Sequence, residues 1–457
     1  MKRSTRRQFI SRSGAAAAAF SLAHPATSRA ARKISPNEKL NVAAIGIGGM
    51  GAHNVSQCSD ENIVALCDLD LGLSAKTIKA HPKAKVFTDY REMLEKQKDI
   101  DAVIIATPDH SHAVIGMHCI RAGKHVYIQK PLAHSVHEAR VLAEGAREHK
   151  VVTQMGNQGH SGEGTRLICE WIQQGAIGKV REVHAWTNRP VWPQGIEVGR
   201  PQDKPPVPEG MDWDKWIGPA EMRPFHPEYH PQKWRAWWDF GTGSLGDLGC
   251  HVLDPVFWAL KLGQPSSVEG NISTYWEGFW KNTQPKNECY PRSSIVRYKF
   301  PEREGMAPVD LTWWDGGLMP PRPEELAGRR MGDADGGALF IGDDGKLVCG
   351  CYGRNPRLLP EERMREVGKP QSTIRRVPGG EAGHEKDWLS ACKGGERASS
   401  NFEYSGPLTE MVLIGNLATR FPDRRLLWDG PALKVTNDEA ANAYVRRNYR
   451  EGYTLGA

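Results

Sequence analysis

Two short stretches carry side chains whose types and spacing suit proton transfer. In Val126-Tyr127-Ile128-Gln129-Lys130-Pro131, an apolar run delivers a lysine at the point where a strand should end. Pro131 keeps Lys130 out of helical geometry, so its amine is free to project into a cleft. In Gly246-Asp247-Leu248-Gly249-Cys250-His251-Val252-Leu253-Asp254, a helix would set Asp247, His251 and Asp254 at i, i+4 and i+7 on one face, with Trp258 continuing the stripe. A carboxylate one turn from an imidazole fixes its tautomer and raises its basicity, as a proton acceptor requires. Pro255 denies the His251 carbonyl its helical partner, so a bend is expected there. Each stretch also has an ordinary structural reading, a solvated lysine after a strand and a capped helix with a packed histidine.

The element that must position such groups is announced by Gly46-Ile47-Gly48-Gly49-Met50-Gly51, directly after the apolar run Leu40–Ile45. A strand that ends in Gly-x-Gly-x-x-Gly and opens a helix offers backbone N–H groups to a pyrophosphate. A second apolar run, Ile63–Cys67, ends at Asp68, 22 residues beyond Gly46, where a carboxylate meets the adenosine ribose hydroxyls and repels a 2′-phosphate. The spacing therefore predicts NAD as cofactor, on Gly46, Gly48, Gly49, Met50, Gly51 and Asp68. Later strand ends at Val103–Ala106 and His125–Ile128 bring Thr107, Pro108 and His112, then Gln129 and Lys130, against the nicotinamide. Beside that cation, Lys130 would exchange a proton readily with a hydroxyl or ketone. The same position argues against Asp109, His110 and His112 as metal ligands, and no metal is expected.

From Leu40 to about Met155, short β-branched runs alternate with helical stretches at Tyr90–Gln97, Ser111–Ala122 and Ser135–Glu148. Strand, helix and strand in repetition predict a doubly wound parallel Rossmann sheet over 36–155. Beyond Gly156 the reading is an α+β domain over 156–430 with a mostly antiparallel open sheet, built on runs near 180–186, 267–275, 294–300, 309–314 and 338–341, then a tail over 431–457. Helices are expected at Gly164–Gln174, Glu385–Lys393 and Thr409–Arg420. Many of the 15 tryptophans lie in this second part, and Trp234-Arg235-Ala236-Trp237-Trp238-Asp239 just precedes the Asp247 motif. Flat faces beside charge suit sugar rings, so Arg235, Trp237, Trp238, His160 and Asp254 are candidate substrate contacts.

Thr5-Arg6-Arg7-Gln8-Phe9-Ile10-Ser11, followed by a small apolar stretch to Ala23, reads as a twin-arginine export signal within 1–30, with a periplasmic destination. The chain carries 60 Lys and Arg against 54 Asp and Glu; the six basic residues of 1–30 account for the excess, leaving no case for nucleic acid. No later stretch approaches the roughly 20 apolar residues of a membrane anchor. The nine cysteines form no Cys-x-x-Cys pair and read as small buried hydrophobes.

Together, Gly46–Gly51, Thr107-Pro108-Asp109-His110-Ser111-His112, Lys130-Pro131 and Asp247–His251 resemble the Gfo/Idh/MocA family of NAD(P)-dependent sugar oxidoreductases. The resemblance implies that Lys130, Asp247 and His251 surround the hydroxyl being oxidised, and that the protein is a homo-oligomer, dimer or tetramer. One departure is Gln129, where the family usually carries Glu. Relatives of this family also imply a redox-neutral glycosidase chemistry: oxidation at the 3-position, elimination of the aglycone, hydration and re-reduction. A non-catalytic NAD-bound sugar sensor is the third reading.

Overall fold

The computed structural model describes residues 34–194, 199–276, 279, 282–283 and 288–456. The expected export signal lies outside the described residues. Strands β1 (Asn41–Ile45), β2 (Asn62–Cys67), β3 (Lys85–Phe87), β4 (Ala102–Ile105), β5 (His125–Ile128) and β6 (Thr153–Met155) form a parallel sheet in the order β3-β2-β1-β4-β5-β6. The strand order reverses between β1 and β4, and the crevice outside their carboxyl ends is where such sheets bind ligands. β3 and the helix Leu71–Ala80 had no apolar run to announce them; β3 is three residues long and half exposed.

Both faces of this sheet are buried, which is why its strands are unbroken apolar runs. Val42, Ala44, Ile104 and Tyr127 face one core, while Ala43, Ile45, Ile105 and Ile128 face the other. Trp388, Leu389 and Cys392 of helix His384–Cys392 complete the first core, so a segment from far down the chain closes the N-terminal sheet. On the other side, helix Val136–His149 packs against helix Phe402–Arg420, which starts earlier than expected because Asn401 caps it and it runs on through Pro407.

The second sheet comprises β7 (Val180–Thr187), β8 (Ser267–Ile272), β11 (Ser294–Phe300), β12 (Val309–Trp314), β13 (Gly336–Gly342), β14 (Gly345–Gly350), β15 (Arg357–Leu359), β16 (Arg425–Asp429) and β17 (Lys434–Val435), with the pair β9 (Tyr275–Trp276) and β10 (Asn282–Thr283) apart. Its order is β15-β14-β13-β7-β12-β11-β8-β16-β17, antiparallel except for β7 beside β12. Val296, Tyr298 and Phe300 of β11 point to the core that holds helix Gly243–Val252. That helix stops at Val252, and a second one begins at Asp254 with Pro255 in its first turn, so the expected bend falls at Leu253. All nine cysteines are buried, Cys349 and Cys351 included. Among the described residues no helix is long and apolar enough to cross a membrane.

Candidate active site

β1 delivers the chain into a turn in which Gly46 (φ +77°) and Gly49 (φ +50°) take the left-handed conformation that glycine tolerates. A Cβ on Gly46 would lie 2.7 Å from the Ala106 carbonyl oxygen, and one on Gly51 would lie 1.8 Å from that of Gly46. Turn, neighbouring strand end and helix therefore meet backbone to backbone. Gly48 precedes helix Gly49–Gln57 without any side-chain cap, and the first turn carries no acid, so the N–H groups of Gly49 and Met50 at this helix end remain for an anion. The Asp68 carboxylate stands beside them, accepting from the backbone N–H of Ile47 (2.8 Å) and of Asp70 (3.0 Å). Burial pushes that carboxyl up and these backbone bonds pull against it. Open donors, glycine clearance and a carboxylate at the end of β2 fit the pyrophosphate and ribose of NAD.

From this turn a cavity of about 550 Å³ runs past Thr107, Pro108 and Gln129 to Lys130, Asp247 and His251. Lys130 Nζ donates to Asp247 Oδ1 (2.6 Å) and to the Asp247 main-chain oxygen (2.8 Å). The Nε atoms of Arg235 and Arg189 lie 3.5 and 3.7 Å from the same carboxylate. Burial alone would push the Asp247 carboxyl up; Lys130, then Arg235, outweigh it and hold it at about 2. His251 shares the wall with its Nδ1 buried and without a hydrogen-bond partner. Burial, then the Lys130 charge, pushes this imidazole well below its ordinary range, so it stands neutral. Asp247 thus serves Lys130 and makes no hydrogen bond to His251, which corrects the expectation that it orients the imidazole: three cations compete for the carboxylate and win it.

Gln129 donates through Nε2 to Asn54 Oδ1 (2.9 Å), and Asn54 Nδ2 donates to Glu385 Oε1 (2.7 Å), which also accepts from Tyr127 (3.2 Å). A buried carboxylate therefore stands one amide behind the neutral side chain at 129.

Several expected contacts lie elsewhere. Gly51 and His112 sit behind the cavity wall. The two ring nitrogens of His112 lie 2.9 Å from the Pro131 carbonyl oxygen and 2.7 Å from that of Thr107, tying the segment after β4 to the segment after β5. Asp254 lies past the break at Leu253 and so leaves the face of Asp247 and His251. Its carboxylate is 2.9 Å from His160 Nδ1 and accepts from the Tyr404 hydroxyl (2.6 Å), in a buried cluster where His160 stacks on Trp258. Neither His160 nor Asp254 lines the cavity. Trp237 is 2% exposed, donates to the Glu228 carbonyl and packs edge-on to Tyr229; Trp238 turns away onto Tyr290. The aromatic wall belongs instead to Trp234 and Trp192, with the Arg235 guanidinium 4.2 Å from the Trp234 ring centre.

Arg189, Tyr352 and Asp109 are among the lining residues that the sequence reading did not place in the site. Arg189 follows β7, where a charged residue at a strand end was the available signal. Tyr352 sits between Cys351 and Gly353 at φ +64°, its ring 4.5 Å from that of His251. A Cβ on Gly159 would come 2.7 Å from the Tyr352 Cβ, and Arg354, paired with Glu381, lies over the phenol ring. Asp109, read only as an unsuitable metal ligand, is buried on the cavity wall and accepts from the Thr242 hydroxyl (2.6 Å). Burial raises its carboxyl to about 7 against that hydrogen bond and the charges of Arg235 and Lys130. Among the described residues no three His, Cys, Asp or Glu side chains are arranged to hold a metal.

Two family descriptions match this chain: "Oxidoreductase family, NAD-binding Rossmann fold" over residues 40–157 and "Oxidoreductase family, C-terminal alpha/beta domain" over 179–277. A levoglucosan dehydrogenase of Pseudarthrobacter phenanthrenivorans is 24% identical over 250 residues, 52% of this chain and 55% of that one. An alpha-N-acetylgalactosaminidase of Shewanella oneidensis is 28% identical over 203 residues, 38% of this chain and 44% of that one. The matched segment thus spans about half the length of these curated relatives. In three dimensions the fold is similar to the WlbA dehydrogenase from Bordetella pertussis solved with NADH and UDP-GlcNAcA, at 15% identity and a TM-score of 0.58, covering 86% of this chain and 99% of that one. A levoglucosan dehydrogenase solved with NADH and levoglucosan matches with the same TM-score, 0.58, at 18% identity, covering 86% and 100%.

Proposed function

We propose that the chain is a member of the Gfo/Idh/MocA oxidoreductases, whose NAD-binding Rossmann and C-terminal α/β descriptions it matches over residues 40–157 and 179–277, and that it oxidises a hydroxyl of a sugar or glycoside by hydride transfer. The observation that carries this reading is the meeting of Lys130 and Asp247 at 2.6 Å, beside His251, on the wall of the cavity that begins at the glycine turn. Bound along that turn, NAD supplies the hydride acceptor. The chain's own residues handle the proton. His251, neutral and with a free ring nitrogen, accepts it from the hydroxyl; Lys130 donates to the same oxygen as negative charge grows there. Asp247 holds the Lys130 amine in place, and Arg235 against Trp234 offers a flat cationic edge to the ring. We extend the proposal to export by the arginine pair of residues 6–7, with NAD already bound, and to a homo-oligomer.

A second reading is redox-neutral hydrolysis, in which the same residues serve oxidation, elimination, hydration and reduction. The Shewanella relative, named as a glycosidase, favours it. Mass spectrometry of the purified protein for co-purified dinucleotide, followed by incubation with a panel of sugars and glycosides, separates the readings. Reduced nicotinamide formed in step with product supports the dehydrogenase. Net hydrolysis without it supports the second reading, and tight sugar binding with no turnover overturns both in favour of a sensor.

A further inference from the structure

A second cavity, of about 640 Å³, opens where residues 443–450 lie beside the end of helix Phe402–Arg420 and the Trp238-Asp239 stretch. It shares no lining residue with the first. Arg420, Arg446, Arg447 and Arg450 all line it. Arg450 is spent on Asp214, and Arg447 reaches Glu138 at 3.4 Å. Arg420 and Arg446 pair with no carboxylate among the described residues.

Arg420 is held rigidly, its guanidinium 4.6 Å from the Trp238 ring centre and 3.7 Å from that of Tyr444. Its Nε is buried and has no acceptor. Trp238, 9% exposed, packs tilted against Tyr290 with ring centres 3.7 Å apart, and its indole N–H is likewise buried and without an acceptor. Buried donors are nearly always paired, so two orphaned ones on stacked neighbours in an arginine-lined hollow need an explanation. The wall's own acids do not supply the acceptor. Asp239 is taken by Arg223 and Arg200, and Glu221 is exposed. The positive field is felt by His134 on the same wall, which burial, then Arg447, push well below its ordinary range.

We propose that this cavity binds a small ligand bearing an oxyanion, a carboxylate or phosphate on a sugar-sized group, with the Trp238 N–H and Arg420 as fixed donors and Arg446 as the solvent-side cation. The volume holds a monosaccharide beside the anion, and Arg presents the forked donors that planar or tetrahedral oxyanions accept.

Titration calorimetry of the full-length protein with glucuronate, glucose 6-phosphate, inorganic phosphate and neutral glucose tests this. The sugar acid or the sugar phosphate binds and glucose does not, and which of the two binds tells the sources apart. Trp238→Phe, which keeps a ring but removes the N–H, and Arg420→Gln each weaken binding about tenfold with unchanged dinucleotide content. Arg446→Gln, an exposed change that cannot disturb the core, weakens it about threefold. Equal affinities across wild type and all three variants overturn the proposal. So does binding that survives in them but vanishes in Lys130→Ala, which would place the anion in the first cavity. If no oxyanion binds and Arg420→Gln instead dissociates an oligomer, the acceptor is a side chain of a second copy and the proposal falls.

Discussion

The two walls of the first cavity are built in opposite ways. On one, everything a dinucleotide needs comes from the backbone of a single turn and one carboxylate, between Ile45 and Asp68. On the other, Lys130, Arg189, Arg235, Asp247, His251 and Tyr352 converge from separate stretches of chain. The first wall works by shape: carbonyl oxygens sit where any Cβ would strike them. The second works by charge, one carboxylate shared among three cations beside an imidazole that burial keeps neutral. Under the proposed function, dinucleotide binding and proton transfer fall on different walls, and the variants that follow test that separation.

The largest effect is expected on the charged wall. His251→Ala and Lys130→Ala should each lower turnover by about 10²–10⁴-fold while dinucleotide still co-purifies, as mass spectrometry would read. Loss of the dinucleotide in either variant would break the division of labour. Next is Trp237→Ala, which should cost about 3–5 kcal/mol in denaturant unfolding, because Trp237 fills a core and does not reach the cavity. Trp234→Ala should instead raise KM at a smaller cost in stability. A matching KM change in Trp237→Ala would restore the wall that the structure takes away. On the shaped wall, Gly51→Ala should cost about 1–3 kcal/mol and empty the protein of dinucleotide, since its Cβ would lie 1.8 Å from the Gly46 oxygen. Retention of dinucleotide there would mean that the turn relaxes.

This contrast also explains what the chain discloses before it folds. A backbone cradle demands glycine at set intervals, so Gly46, Gly48, Gly51 and Asp68 are legible as a pattern. The Lys130-Pro131 and Asp247-to-His251 stretches are legible because each is local. Arg189 and Tyr352 join them only through the second sheet, one after β7 and the other after β14, and such convergence leaves no interval to read. Periodicity misleads outright at Asp254: an unbroken helix would keep it beside His251, and the break at Leu253 sends it to His160. Trp237 and Trp238 fail for a related reason, because composition marks a Trp-rich segment without saying which indole faces which side.

The last test is the most exacting, because it reads a single proton. Asp109 carries its carboxyl near 7 in the fold, where burial disfavours the anion, against an ordinary value of 3.8. Between those two values the folded chain holds a proton that the unfolded chain has released. Stability must then fall as pH rises through that window, by at most about 1.4 kcal/mol per pH unit for this group, and level off above it. Asp315, also raised to about 7, adds a slope of the same sign, whereas His110 and His112, pushed down to about 3 and about 4, add one of opposite sign below their ordinary value of 6.5. The total curve is therefore uninformative, and the difference between wild type and Asp109→Asn is the quantity to measure. Asparagine keeps an oxygen for the Thr242 hydroxyl, now 2.6 Å from the carboxylate, and cannot ionise. Urea midpoints taken at steps from pH 4 to 9 should show the variant gaining on the wild type as pH rises, with the gap constant above about pH 8. A gap that does not change with pH would mean that Asp109 is already ionised at low pH, held by Lys130 and Arg235, and that the shared charge of the second wall extends one carboxylate further than Asp247.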